Sequence, residues 1–304
     1  MAAGSLGAIA STSAIARGRA ALFDRTGRPL GVQLYMLGNE FGRDFDRMFA
    51  ALADAGYRRF EGDWALVSRP GVLDAARRHG MTCGSVHISS MSLGSGEGAA
   101  IEKAAQDIAA AGIRFAGIPI FPFAPDLLKG NRDPVQVALG RIAASMTGDD
   151  WRRLADTFNR CGASLGKHGV RFFYHNHNVE FRPIDGTTPY EILLNGTDPA
   201  LVSFELDAGW VAAAGHDPVA ILKRHKGRFR LMHVKDIAPG TTTNFAFDQQ
   251  PATVGSGLIP WHAVIPAARA AGITEFLVEQ EPPYTGPRIE SARRSAQYLL
   301  NERA

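Results

Sequence analysis

The sequence predicts a single closed (β/α)8 barrel, and three observations carry that expectation. From residue 30 onward, short apolar runs rich in branched and aromatic residues alternate eight times with longer helical patterns, as βαβ units feeding a parallel sheet do. Four helix-to-strand junctions carry a glycine, Gly56, Gly80, Gly169 and Gly272, as expected where a helix closes on a left-handed residue. The first strand candidate runs through Gln33-Leu-Tyr35-Met-Leu-Gly38 without the GxGxxG turn that a doubly wound open sheet usually carries. A length of 304 residues fits one barrel, and a composition 45% hydrophobic and 21% charged can fill its core.

In chain order, strands are expected at 30–35, 57–61, 82–87, 113–118, 170–175, 201–207, 229–235 and 275–279. Helices are expected at 43–55, 71–79, 98–111, 150–168, 189–195, 218–225, 260–271 and 287–300. Pro218 and Pro260 stand near helix starts, where a missing N–H is harmless, and Asp149 or Asp150 is expected to cap the 150–168 helix. The longest irregular stretches are 121–148 and 237–259. Residues 29–304 are thus read as the catalytic barrel and 1–28 as an N-terminal extension. Its small apolar start and the Ala14-Ile15-Ala16 run resemble a leader fragment without a basic n-region. The compartment is periplasmic if residues 1–22 are the remainder of an export leader, and cytoplasmic otherwise.

The charge balance excludes several partners. The 33 basic and 30 acidic side chains are interspersed, with a net charge of +3, and no like-charge block tracks a phosphate backbone. No nucleic acid is expected, and no apolar stretch is long enough to span a bilayer. Cys83 and Cys161 form no CxxC pair, so neither a disulfide framework nor a thiolate metal site is indicated.

Buried parallel strands should be apolar throughout, so polar residues at their ends need a reason. They are Glu61 and Asp63 after the second strand, His87 after the third, His175 and His177 after the fifth, and Asp207 after the sixth. His233, Lys235 and Asp236 follow the seventh, and Glu279 and Glu281 the eighth. Residues two apart share a face, which pairs His175 with His177, His233 with Lys235, and Glu279 with Glu281. Charges gathered in one barrel mouth cost several kcal/mol each unless compensated, and a divalent cation removes that penalty. Oxygen and nitrogen ligands without thiolate suit Mn2+, the first expectation, or Co2+, Mg2+ or Zn2+.

The motifs Gly31-Val-Gln-Leu-Tyr35, Tyr174-His-Asn-His-Asn-Val-Glu-Phe181, Glu205-Leu-Asp-Ala-Gly-Trp210, His233-Val-Lys-Asp236, Val254-Gly-Ser-Gly257 and Val278-Glu-Gln-Glu281 carry a family resemblance. Over roughly 30–300 the chain resembles the xylose-isomerase-like barrel superfamily, in its sugar phosphate isomerase/epimerase branch. That resemblance implies a metal held by Asp207, His233 and Glu279, with a fourth ligand from the fifth-strand region. Where epimerases carry Glu at that strand end this chain has His175, so Glu180 is the expected fourth ligand and His175 its competitor. Trp210 stands where many epimerases carry a substrate-binding His; it would stack on a sugar face or belong to the core.

The resemblance further implies proton removal beside a carbonyl, through an enediolate. His175, His177, Lys235 and Glu279 are the candidates for proton transfer and oxyanion support, and Glu61, His87, Trp210, Tyr35 and Glu281 for substrate binding. The expected activity is an isomerase or epimerase on a keto-sugar or polyol-derived ketone. The alternative is a dehydratase or lyase of the inosose-dehydratase or 3-keto-glycoside type, and a non-catalytic sugar-binding barrel is the alternative from another class. The partner is a small carbohydrate, and a homo-oligomer is compatible with the resemblance. Gly255-Ser-Gly257 is too short to be claimed as a phosphate loop.

Overall fold

In a computed structural model, residues 21–24, 27, 29–90 and 98–302 are described. Most of the expected extension therefore lies outside the described residues. Leu22 and Phe23 are buried, and the Phe23 ring packs edge-on against Phe276 with centroids 5.5 Å apart, so barrel packing begins upstream of residue 29.

The strands are β1 (Gly31–Gln33), β2 (Arg59–Asp63), β3 (Thr82–His87), β4 (Phe115–Ile118), β5 (Arg171–His175), β6 (Val202–Asp207) and β7 (Phe229–Val234). Two short strands follow, β8 (Asp236–Ile237) and β9 (Pro251–Ala252), and then β10 (Glu275–Val278). β1 to β7 and β10 close into one barrel with every neighbouring pair parallel. β8 and β9 form a separate antiparallel ribbon.

Each strand is expected from its apolar run, and the helices between them turn apolar faces onto the outside of the wheel. Inside, Phe115, Phe173, Leu231 and Leu277 form a small apolar plug. Gly56, Gly80, Gly169 and Gly272 all have positive φ, so the glycine junctions perform the left-handed closure read from the sequence.

Three local expectations are corrected. The stretch 121–148 contains a helix, Val135–Ser145, whose interior Gly140 packs close against the Ala246 backbone. β1 stops at Gln33, because the next four residues tighten into a 3-10 turn that lifts Tyr35 into solvent. Finally, Thr147 rather than either aspartate caps the helix Gly148–Gly166: its hydroxyl accepts from Asp150 N while the Asp150 carboxylate accepts from Thr147 N. This reciprocal box satisfies two orphan amides. Thr147→Ala should cost about 1 kcal/mol, read as a melting temperature lowered by about 2 °C; an unchanged transition would show that the box contributes nothing.

Candidate active site

Strand register brings the polar residues together at the carboxyl ends of the strands. Gln33 pairs with Glu61 across β1 and β2, and Glu61 with Ser85 across β2 and β3. His175 pairs with Glu205 across β5 and β6, and Asp207 with His233 across β6 and β7. Above them opens a pocket of about 370 Å3, whose lining includes His87, His175, His177, His233, Lys235 and Glu279. Glu281 and Tyr35 also line it. Barrel enzymes place their chemistry at this end.

Two layers can be distinguished. The upper one contains Asp207, His233 and Glu279, a group whose ligand atoms lie within 4.8 Å of one another and which can hold a metal ion. Lys235 reaches into it, with Nζ 3.3 Å from Asp207 Oδ2 and 2.8 Å from Glu281 Oε1, and in contact with Glu279 Oε2. The ammonium also lies 4.8 Å from the Trp210 ring centroid. Burial opposes the Lys235 charge, but Asp207, Glu279 and Glu281 outweigh it and hold the ammonium well above the ordinary lysine range. Burial pushes Glu279 up to about 7 although Lys235 pulls it down. Burial likewise opposes the Asp207 charge, yet Lys235 and His233 keep that carboxyl below its usual range.

The lower layer was only partly read from the sequence. Glu61 accepts hydrogen bonds from Gln33 Nε2 at 2.9 Å and from the Ser85 hydroxyl, and His233 Nε2 lies 2.9 Å from Glu61 Oε1. Glu205 Oε2 lies 3.1 Å from His175 Nδ1 and 3.3 Å from His87 Nε2. Both carboxylates are fully buried. Burial works against the Glu61 charge, but His87 and His233 hold it down at about 2. Burial raises Glu205, and the neighbouring Glu61 charge adds to the effect.

A metal fits the upper group on hydrogen-bond grounds. Asp207 Oδ2, His233 Nδ1 and Glu279 Oε1 are buried and make no hydrogen bond, although Asp207 Oδ2 is ion-paired with Lys235. Buried polar atoms are rarely left this way without a ligand, and here each of the three residues supplies one. The donor set of two carboxylates and an imidazole is that of a divalent cation held with open positions.

The structure places the remaining expected residues as follows. His175 and His177 stack edge-on with ring centroids 4.9 Å apart, and both line the pocket. Burial, and after it the neighbouring His233, push His175 well below the ordinary histidine range. Burial and Lys235 together push His177 down to about 3, which leaves it a neutral proton acceptor at pH 7. Glu180 is not brought to the group. A 3-10 turn, Val179–Phe181, directs its carboxylate onto the Tyr174 hydroxyl and the His177 amide, the latter at 2.9 Å, and burial raises it to about 7. Glu61, expected to grip substrate hydroxyls, instead points into the barrel beneath the pocket. Trp210 is 1% exposed yet lines the pocket, with the Lys235 ammonium 4.8 Å from its ring centroid.

Asp236 turns the other way from Lys235. Its carboxylate accepts from the amides of Gly255, Gly257 and Ile259 at 3.0–3.2 Å and from Trp261 Nε1 at 3.1 Å. The Gly255-Ser-Gly257 segment thus closes around a carboxylate of its own chain and braces the end of β7.

Residues 41–302 match the family model described as xylose isomerase-like TIM barrel. An inosose dehydratase of Bacillus anthracis (strain CDC 684 / NRRL 3495) is 36% identical over 103 residues, covering 34% of this chain and 34% of that protein. Another, from Geobacillus thermodenitrificans (strain NG80-2), is 28% identical over 166 residues, covering 50% and 55%. The chain therefore spans about a third to about half the length of these curated relatives. Among solved structures, a sugar phosphate isomerase/epimerase from Parabacteroides distasonis ATCC 8503 superposes with a TM-score of 0.71 at 24% identity, over 96% of this chain and 98% of that one. D-psicose 3-epimerase from Clostridium cellulolyticum H10, solved with D-tagatose, gives 0.60 at 14%, over 90% and 97%. At these identities the likeness shows the fold.

Proposed function

The chain belongs to the xylose isomerase-like TIM barrel family, and from that premise we propose that it is a divalent-metal-dependent enolising enzyme acting on a keto-sugar or a polyol-derived ketone. The observation that carries this reading is the trio of buried ligand atoms without a hydrogen bond on Asp207, His233 and Glu279 beside a buried ammonium, under a pocket whose lining includes the neutral imidazoles of His175 and His177. Asp207, His233 and Glu279 hold the cation, and His175 supplies the fourth ligand through Nε2, which lies 3.8 Å from Asp207 Oδ2. When bound, the cation supplies Lewis-acid polarisation of the substrate carbonyl.

The protein's own groups do the rest. His177, neutral and open to the pocket, takes the proton from the carbon beside the carbonyl. The C–H electron pair passes into a new C=C bond, and Lys235 donates a hydrogen bond to the oxygen that gains charge. His177 then carries the proton. Returned to the former carbonyl carbon while the adjacent hydroxyl passes its proton to the oxyanion, the proton yields an isomer; delivered instead to the leaving oxygen on the carbon β to the carbonyl, it expels water or an alcohol and leaves an enone. Elimination is supported by His175 and His177 standing on the fifth-strand wall, where a second carboxylate would serve an epimerase. The inosose dehydratases that match this chain point the same way.

The test is proton exchange at carbon. Mn2+-loaded protein incubated in D2O with keto-sugars, inososes and 3-keto-glycosides is expected to place deuterium beside the carbonyl of a substrate, read by NMR, and His177→Ala to lose it. A product that keeps its original hydrogen on the carbon beside the carbonyl would mean hydrolysis and would overturn the reading.

The metal affinity itself should depend on pH in one direction. Without metal, Glu279 is raised to about 7 by burial and His233 is held well above the usual imidazole range, its flanking carboxylates overcoming burial. Both must release protons to ligate, so affinity is expected to fall as pH drops from about 8 towards 6. Calorimetry in buffers of different ionisation enthalpy should show protons released on binding. Affinity independent of pH across that window would contradict the assignment.

A further inference from the structure

The lower layer holds groups that the proposed chemistry does not touch, and with its carboxylates ionised the hydrogen-bond partners there fix the imidazole tautomers. Gln33 Oε1 accepts from Tyr35 N at 2.9 Å, which fixes the amide so that its NH2 faces inward. That NH2 donates to Glu61 and lies 3.3 Å from His87 Nδ1. A donor facing Nδ1 makes that nitrogen the acceptor, and His87 then carries its hydrogen on Nε2, which lies 3.2 Å from Glu61 Oε1 and 3.3 Å from Glu205 Oε2. Glu205 in its ionised form accepts, and so calls for the hydrogen of His175 on Nδ1, at 3.1 Å. On the other side, Glu61 Oε1 calls for the hydrogen of His233 on Nε2.

The consequence lies on the opposite edge of each ring. His175 is left with a bare Nε2, while His233 Nδ1, the atom that makes no hydrogen bond, is bared when that ring gives up its second proton as the cation binds. Both nitrogens face the side of Asp207, at 3.8 and 3.6 Å from Oδ2. We infer that Glu205 is a positioning residue for the metal centre, fixing the His175 tautomer so that Nε2 is a ligand atom, with Glu61 doing the same for His233 Nδ1. This rests on the proposed cation at Asp207, His233 and Glu279. Carboxylates behind ligating imidazoles act in this way by setting tautomer, ring orientation and basicity, and their loss costs about 10–100-fold in metal affinity.

Two measurements on the full chain test it. In 15N-histidine NMR of the chelator-treated protein, His175 is expected as the Nδ1–H tautomer, and Glu205→Leu should shift it towards Nε2–H. In Mn2+ titrations, Glu205→Gln, which keeps shape and an acceptor, is expected to weaken binding about tenfold, and Glu205→Leu by up to about a hundredfold, with Co2+ spectra altered in step. Wild-type His175 found as Nε2–H would overturn the inference, as would Mn2+ affinity in Glu205→Gln within twofold of wild type. The wild-type NMR result decides even if a variant fails to fold. It also separates this inference from the one it rests on: loss of Asp207-dependent Mn2+ binding would remove the proposed function yet leave the tautomer to be read.

Discussion

Asp207→Asn is expected to abolish tight Mn2+ binding and to lower kcat/KM by about a thousandfold or more. The side chain is fully buried at the end of β6, capping the helix Ala208–Ala213 through Oδ1 while Oδ2 is left for the cation. Asparagine reproduces the cap, because its amide oxygen can still accept from Trp210 N, and so the fold should survive. It cannot reproduce the charge at Oδ2. Losing the cation removes its charge stabilisation of the oxyanion, worth several kcal/mol; at about 1.4 kcal/mol per tenfold, that is three decades of rate. The check is steady-state kinetics beside metal analysis of the purified variant. An Asp207→Asn protein that keeps stoichiometric Mn2+ and full turnover would remove Asp207 from the centre and, with it, the proposed mechanism.

Such a prediction could be framed from sequence because the signal was strong where it mattered. Charged residues ending apolar runs on successive strands have few innocent explanations, and two-residue parity placed His175 beside His177 and His233 beside Lys235 before any coordinates. What the sequence hid depended on register between strands. Gln33 and Ser85 are unremarkable polar residues until β1, β2 and β3 align them with Glu61. Glu205 lies inside an apolar run, and its parity with Asp207 was the available signal: two acids two apart on a buried strand must face the same side. Glu180 shows the opposite error, where nearness in sequence suggested a ligand and a single 3-10 turn aimed the carboxylate at Tyr174 instead. The helix Val135–Ser145 escaped notice because a glycine interrupts an already weak amphipathic pattern, and its place is set by contact with the segment around Ala246.

Lys235→Met should be the most destabilising change in the metal-free protein and a much milder one in the metal-loaded protein. The ammonium is 1% exposed and faces Asp207, Glu279 and Glu281, so screening by solvent is slight. Removing one partner of a buried ion pair typically costs about 3–5 kcal/mol, because the remaining charge is uncompensated, and methionine fills the stem without supplying charge. The raised lysine pKa means the lysine side of this contribution is present below the unfolded value of about 10.4 and is lost as pH rises through the folded value, while the Glu279 side fades as pH falls below about 7. At pH 7, thermal melts in EDTA should therefore place the variant about 6–10 °C below wild type. Added Mn2+ faces the same Asp207 and Glu279 carboxylates, and a ligand at a hundred times its Kd adds about 2.7 kcal/mol. Because the variant lacks a cation competing for those carboxylates, its gain should exceed that of wild type and the two curves should converge, while turnover stays low for want of the oxyanion donor. A gap in melting temperature that is absent in EDTA, or equally wide with and without Mn2+, would show that lysine and metal do not share one set of carboxylates.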